Sequence, residues 1–229
     1  MKLDLLPYFV EYEALVAQID TLFHNVSENF SKEVRCKEGC SDCCHALFDI
    51  TLVEALYLNH KFQELGQEER NGILIEADKA DRKANILKKK LFKEAEQSAP
   101  AEVLGRVAKE RIRCPLLGSG DTCELYAFRP VTCRMYGIPL EIEGASHTCG
   151  LSGFVPGQAY PAIKMHRVQD VLLRISNQIL DDLGSKYADF RLMHVPVSTA
   201  LMTVYNDEYF GLSGLIVPVS GNPVEEKHE

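Results

Sequence analysis

Eight cysteines are the residues of this chain whose type and spacing could do chemistry. They form a compact run, Cys36-x3-Cys40-x2-Cys43-Cys44, and, after a gap of 69 residues, a wider series, Cys114-x8-Cys123-x9-Cys133-x15-Cys149. A Cys-x-x-Cys turn such as Cys40–Cys43 lets two thiolates grip one metal ion, although the same spacing also occurs in redox pairs. The pattern predicts metal binding by two groups of four thiols.

The adjacent pair Cys43 and Cys44 needs its own explanation. Consecutive side chains of an extended backbone point to opposite faces, whereas the sulfurs of a tetrahedral zinc site lie only about 3.8 Å apart. We therefore expect one of the two thiols to reach elsewhere. A polynuclear cluster, or two neighbouring metal centres, would accept such divergent thiolates, and both would draw ligands from the second group.

The second group is too widely spaced for the two tight knuckles of a zinc ribbon. Iron–sulfur clusters accept one compact run together with remote cysteines, so both an iron–sulfur cluster and zinc or iron ions stay open. Basic side chains beside the cysteines could stabilise thiolates, or could simply form surface ion pairs; they are Lys37, Arg113, Arg129 and Arg134. Two histidines flank the runs as substitute ligands or hydrogen-bond donors, His45 and His147.

Disulfides and buried, unreactive thiols are the alternatives to metal binding. The N-terminus carries Asp4, Glu11 and Glu13 where an export signal would need an apolar core, and no apolar stretch of about 18 residues exists. We therefore expect a cytoplasmic protein, whose reducing surroundings favour metal ligands over disulfides.

Composition limits the partners of the chain. It has 229 residues, 46% of them hydrophobic, and a net charge of −8 from 25 basic and 33 acidic side chains. An acidic balance argues against general affinity for nucleic acid or anionic lipid. We expect metal ions as partners, neither nucleic acid nor membrane, and leave a protein partner open.

The elements that must position the thiols are mainly helical. Apolar side chains three or four apart predict helices at 7–26 and 162–183, the latter stopped by Gly184. The stretch Thr51-Leu-Val-Glu54 matches a capping box and predicts a helix at 52–65. A solvated helix or helix pair is expected at 68–97, and a short helix at 101–112.

The remaining segments lack helical periodicity. Residues 114–160 are expected to be irregular and shaped by ligand binding, 195–217 could form a short strand pair or a last helix, and 218–229 a loose tail. The prediction is a single mostly α domain, 1–229, with a helical scaffold around an irregular cysteine-rich metal-binding core at 36–157.

The segments CKEGCSDCC, CPLL and CELYAFRPVTCRMYG resemble the YkgJ-type CxxCxxCC family, whose members are proposed to chelate zinc or iron. The positions that fall on the family pattern in the second half are Cys114, Pro115, Cys123, Tyr126, Arg129, Pro130, Cys133 and Arg134, with Cys149 and the following Pro156-Gly157 as a looser match. Three residues separate Cys36 from Cys40 where the family name implies two. The resemblance implies metal chelation by the cysteines.

Three functions follow as hypotheses. In the first, all eight cysteines are ligands, Arg129 and Arg134 donate hydrogen bonds around them, and Tyr126 packs beside them. In the second, the chain is an enzyme; the related flagellin lysine N-methylase implies a cluster used with S-adenosylmethionine, but the glycines at 118–120 and 150–153 are expected to be turns. In the third, a structural zinc module serves protein interaction. No catalytic residue is identified.

Overall fold

The computed structural model describes residues 4–95, 102, 105–106 and 109–212. Within these residues the secondary structure is mainly α-helical, which confirms the mostly α prediction. The helices are α1 (Leu6–Asn29), α2 (Leu52–Gln63), α3 (Gln67–Ala95), α4 (Val131–Met135), α5 (Met165–Leu183) and α6 (Val197–Met202). None of the described helices is long and apolar enough to cross a membrane.

Five short strands accompany the helices: β1 (Asp49–Thr51), β2 (Leu140–Ile142), β3 (Ala145–His147), β4 (Ile163–Lys164) and β5 (His194–Pro196). β1 and β5 pair antiparallel, with Ile50 opposite Val195. β2 lies between β3, antiparallel to it, and β4, parallel to it. These strands tie loops from distant parts of the chain to the helical scaffold.

Helix α2 lies at the centre of the core. It begins at Thr51 with the predicted capping box and is buried on nearly all sides. Leu56 and Tyr57 face a first apolar cluster, built with α1 and α5, whereas Leu58 and Phe62 face a second cluster. A helix buried all round shows no apolar stripe in its sequence, which is why its cap, and not its periodicity, predicted it.

The predicted helices α1 and α5 are confirmed, including the end of α5 at Gly184, whose φ of 68° is left-handed. Helix α3 is one helix, and the expectation that it is solvated is wrong for one face. Ala77 and Ala84 are buried there, and Asp81 accepts a hydrogen bond of 2.7 Å from Thr199 of α6. Small side chains on this face let the two helices approach closely.

Two other expectations need correction. Of the helix expected at 101–112, residues 101, 103–104 and 107–108 lie outside the described residues, and 102 and 105–106 are helical. Its C-terminal end is wrong, because Arg111 is extended and pairs with Ala46. The undecided segment 195–217 contains both β5 and α6, and the partner of β5 is β1 instead of a neighbouring strand. The expected loose tail 218–229 lies outside the described residues.

Candidate metal centre

The loop that joins α1 to β1, residues 30–48, carries the first four cysteines. The amide of Cys40 donates to the carbonyl of Lys37 at 3.0 Å, and the amide of Cys44 donates to the carbonyl of Ser41 at 3.0 Å. Cys43 and Cys44 lie in a single 3-10 turn, Cys43–His45. About three residues complete such a turn, so adjacent side chains are rotated by about 120°, but the Cys44 thiol remains within hydrogen-bonding reach of Cys43.

Backbone pairing brings the start of the second group to this loop. The amide of Cys114 donates to the carbonyl of Cys44 at 2.6 Å, and that of Ile112 to the carbonyl of His45 at 3.0 Å. The chain then folds back, since Leu117 pairs with Cys123. Cys114 and Cys123 therefore belong to one hairpin-like turn, with Cys114 beside Cys44.

Helix α4 positions Cys133 and is held at its N-terminus by Glu54. Oε1 of this carboxylate accepts a 3.0 Å hydrogen bond from the amide of Val131. Oε2 accepts bonds of 2.9 and 2.8 Å from the amide and hydroxyl of Thr51. Glu54 is only 4% exposed, and burial raises its pKa. One buried carboxylate thus joins the start of α2 to the start of α4.

Cys149 follows β3 and lies next to Asp42 of the first loop. Its thiol donates to Oδ2 of Asp42 at 3.4 Å, and the hydroxyl of Tyr136 donates to the same oxygen at 3.0 Å. Arg111 forms an ion pair with Asp42 at 3.4 Å. Asp42 therefore links the first loop to three separate stretches of the second half.

Thiols from the two halves of the sequence meet in space, and all eight cysteines are free. The thiols of Cys133 and Cys44 both lie within hydrogen-bonding reach of Cys43. Cys36 interacts electrostatically with Cys149 of the second group, and Cys44 with Cys123. Cys43 is buried, at 7% exposure, and the other seven are partly exposed.

The thiols are close but do not yet enclose a common point. In the described part of the chain, no three His, Cys, Asp or Glu side chains are oriented to hold one metal ion together. A cysteine side chain turns about one χ1 angle among staggered positions, and a metal centre here would require the thiols to turn towards a common point. As a donor set, neighbouring free thiols suit zinc and iron–sulfur clusters.

Burial and neighbouring thiols shift the pKa values of the cysteine side chains. Burial raises the pKa of Cys36 to about 11 and that of Cys114 to about 12. Hydrogen bonds from Cys133 and then from Cys44 lower the pKa of Cys43, and donating to Cys43 raises the pKa of both partners. A metal ion that binds these thiols as thiolates must displace the protons that they carry.

A cavity of about 280 Å³ opens beside the first loop. Four cysteines line it, together with Arg35, Lys37, Tyr136 and Gly137. Gly137 has φ +115°, and a Cβ built on it would lie 2.7 Å from Cβ of Cys36. Only glycine lets the backbone after α4 pass this close to Cys36. The lining cysteines are Cys36, Cys40, Cys43 and Cys149.

The three residues predicted around the thiols have different surroundings. The positive charge of Arg129 acts on Cys36, Cys43 and Cys123, opposing the effect of burial on the pKa of Cys36 and Cys123. The Arg129 guanidinium carbon lies 3.6 Å from the ring centroid of Tyr126, a cation–π contact. Nε of Arg129 donates to the carbonyl of Tyr126 at 3.0 Å, and no described hydrogen bond joins either side chain to a sulfur, so the role of these two residues around the thiols stays a prediction.

Arg134 acts through the backbone. Its guanidinium donates to the carbonyl of Arg129 at 2.9 Å, to the carbonyl of Ala127, and to Asp20 of α1 at 2.8 Å. These bonds fix the turn that presents Arg129, and none of the described hydrogen bonds of Arg134 reaches a sulfur. Its predicted hydrogen bond to a thiolate therefore has no counterpart among the described contacts.

Three other residues beside the cysteines, Arg113, His45 and His147, have their own surroundings. Arg113 donates to the carbonyl of Leu117 at 2.5 Å, and so braces the hairpin-like turn. Nδ1 of His45 lies 3.0 Å from the carbonyl oxygen of Ser41. Nε2 of His147 is buried and has no hydrogen-bond partner among the described residues. Neither histidine contacts a sulfur in the described contacts.

Sequence reasoning missed four residues of this region. Asp42 and Gly137 contact cysteines directly, Tyr136 donates to Asp42, and Glu54 holds the helix of Cys133. Tyr136 and Gly137 follow Cys133 within four positions, and this closeness to a predicted ligand could have identified them. From the sequence, Glu54 could be recognised only as part of the capping box, because its contact with Val131 spans 77 positions.

Comparison with known families decides the assignment. The family model of CxxCxxCC, described as a domain proposed to chelate zinc or iron, matches residues 35–150. The chain belongs to the CxxCxxCC family. No curated protein and no solved structure matches it significantly, so the relation to flagellin lysine N-methylase is not confirmed. In this CxxCxxCC protein the matched residues include all eight cysteines.

Proposed function

We propose that the eight cysteines of this CxxCxxCC protein bind zinc or iron, as ions or as an iron–sulfur cluster. The observation that carries the proposal is the meeting of free thiols from both halves of the chain, with Cys133 and Cys44 beside Cys43. The convergence of thiols from distant loops is expected if they bind metal together. Thiolates are the ligands that zinc and iron–sulfur clusters prefer.

Charge supports the same proposal. A centre with four thiolates is anionic, and Arg129 lies where its charge acts on three of the cysteines. Arg35 and Lys37 line the cavity beside them. Positive groups around a thiolate centre offset its charge and stabilise the deprotonated sulfurs.

A structural zinc module is the second candidate, and the packing of two cysteines favours it. Cys114 and Cys123 pack against the second apolar cluster, which α2 and α6 help to build. A metal ion held there would link the hairpin-like turn to the core, and closed four-thiolate sites are typical of structural zinc. The methyltransferase alternative gains no support, since Gly118 and Gly150 lie in turns or loops and not between a strand and a helix.

Metal analysis of protein purified without oxygen tests the proposal. We expect zinc, or iron with acid-labile sulfide, in stoichiometric amounts; a visible spectrum that bleaches with dithionite would identify the cluster. Cys43→Ser and Cys44→Ser should each lose metal, whereas Ser41→Ala, in the same turn, should keep it. Wild-type protein without zinc or iron, or full metal in both cysteine variants, would refute the proposal.

A further inference from the structure

We propose that the eight thiols form two four-cysteine centres, each built from both halves of the chain. The outer centre would consist of Cys36, Cys40, Cys43 and Cys149, and the inner centre of Cys44, Cys114, Cys123 and Cys133. This division rests on the proposed function, that these cysteines bind metal. In the sequence, Cys44 belongs to the first group of four cysteines and Cys149 to the second. In the proposed centres, Cys44 joins three cysteines of the second group and Cys149 joins three of the first.

A shared cavity defines the outer centre. All four of its cysteines line the same space of about 280 Å³, which is enough for a metal ion and is open to small molecules. Cys36 interacts most strongly, among thiols, with Cys40, Cys43 and Cys149. The glycine backbone at Gly137 closes one side of this space against Cys36.

Backbone pairing and core packing define the inner centre. Cys114 is hydrogen-bonded through its amide to the carbonyl of Cys44, and Cys123 pairs with Leu117 in the same hairpin-like turn. Cys133 interacts with Cys114 and Cys123, as does Cys44. None of these four cysteines lines the open cavity of the outer set, and two of them pack against the second apolar cluster.

The turn at Cys43–His45 explains why the adjacent residues Cys43 and Cys44 belong to different centres. Cys43 lines the cavity and Cys44 does not, whereas the carbonyl of Cys44 accepts a hydrogen bond from the amide of Cys114 and the two side chains interact electrostatically. Cys43 still lies beside Cys44 and Cys133, so the two centres would be neighbours. An adjacent cysteine pair is then the shortest connection between two centres.

The two centres differ in access to solvent. A metal ion in the cavity can be reached by a chelator or by a small anion attracted by Arg35 and Lys37, whereas two ligands of the inner ion, Cys114 and Cys123, pack against the second apolar cluster on one side. The outer ion should therefore be released faster than the inner one. The outer set is the place where exchange or reaction with a ligand would occur.

Metal content and release kinetics of full-length protein, purified without oxygen, test the division. The probe is EDTA, and the measurements are metal per chain and the time course of its release. Wild-type protein should release metal in two phases. Cys149→Ser should lose the fast phase and keep about half of the metal, while Leu151→Ala, which lines the same cavity, should match wild type.

Cys123→Ser should lose the slow phase; if it fails to fold, judged by circular dichroism, the Cys149→Ser result alone decides. Single-phase release from wild type, or loss of all metal in the folded Cys149→Ser variant, would overturn the division while leaving metal binding intact. Wild-type protein that contains no metal would instead refute the proposed function. The two failures are therefore distinguishable.

Discussion

At the scale of residues, small details of the backbone decide where each sulfur lies. Cys43 and Cys44 are separated by a rotation in a 3-10 turn, and Cys36 is fixed by the close approach of Gly137. The sequence predicted that the adjacent thiols diverge unless the loop is sharply folded, and in the tight turn the two stay within hydrogen-bonding reach of each other. It could not predict their directions, because these depend on turn geometry that the spacing of cysteines does not encode.

Gly137→Ala tests whether the close approach positions Cys36. The new Cβ would lie 2.7 Å from Cβ of Cys36 at a φ of +115°, so both strain and overlap oppose it. We expect a loss of about 2 to 3 kcal/mol in the free energy of unfolding, measured with denaturant, and reduced metal content.

Gly144→Ala is the matched control, since φ is +78° there and nothing lies within 4 Å of the added Cβ. It should cost only about 1 kcal/mol from backbone strain and keep its metal. Equal losses of stability and metal in both variants would show that contact with Cys36 is unimportant.

At the scale of elements, long or capped helices were predictable and short ones were not. α1 and α5 show apolar periodicity, and α2 shows its capping box. α4 has five residues, too few for a periodic pattern, and its position depends on Glu54, 77 residues before Val131. β1 and β5 are likewise defined by each other although they are far apart in the sequence, whereas β2 and β3 pair across a short turn.

Glu54→Gln tests the link between α2 and α4. Both carboxylate oxygens accept hydrogen bonds from backbone amides, and glutamine offers one oxygen and one NH₂ group that would face a donor. An unsatisfied buried donor costs about 1 to 3 kcal/mol, which we expect as lower stability in denaturant, together with weaker metal retention through displaced Cys133.

Glu64→Gln, directly after the exposed end of the same helix, weakens only surface contacts of this carboxylate with His60 and Lys61. It should change stability by less than about 0.5 kcal/mol. If Glu54→Gln is equally mild, the buried carboxylate does not hold α4 in place.

At the scale of the whole molecule, the scaffold brings distant loops to one place. α2 separates two apolar clusters, and the cysteine loops meet beside the start of this helix, where Glu54 and Thr51 lie. The sequence predicted a helical scaffold around an irregular centre. Which thiols become neighbours could not be predicted, because it follows from pairings such as Cys114 with Cys44.

The central claim is that sulfurs from both halves of the chain bind the same metal ions, and alkylation followed by mass spectrometry tests it most directly. Native protein is labelled with iodoacetamide before and after removal of metal by a chelator, without oxygen. We predict that Cys44 and Cys123 are both protected by metal and become reactive together when it is removed. Protection confined to cysteines of one half, or masses that show disulfides, would contradict the account.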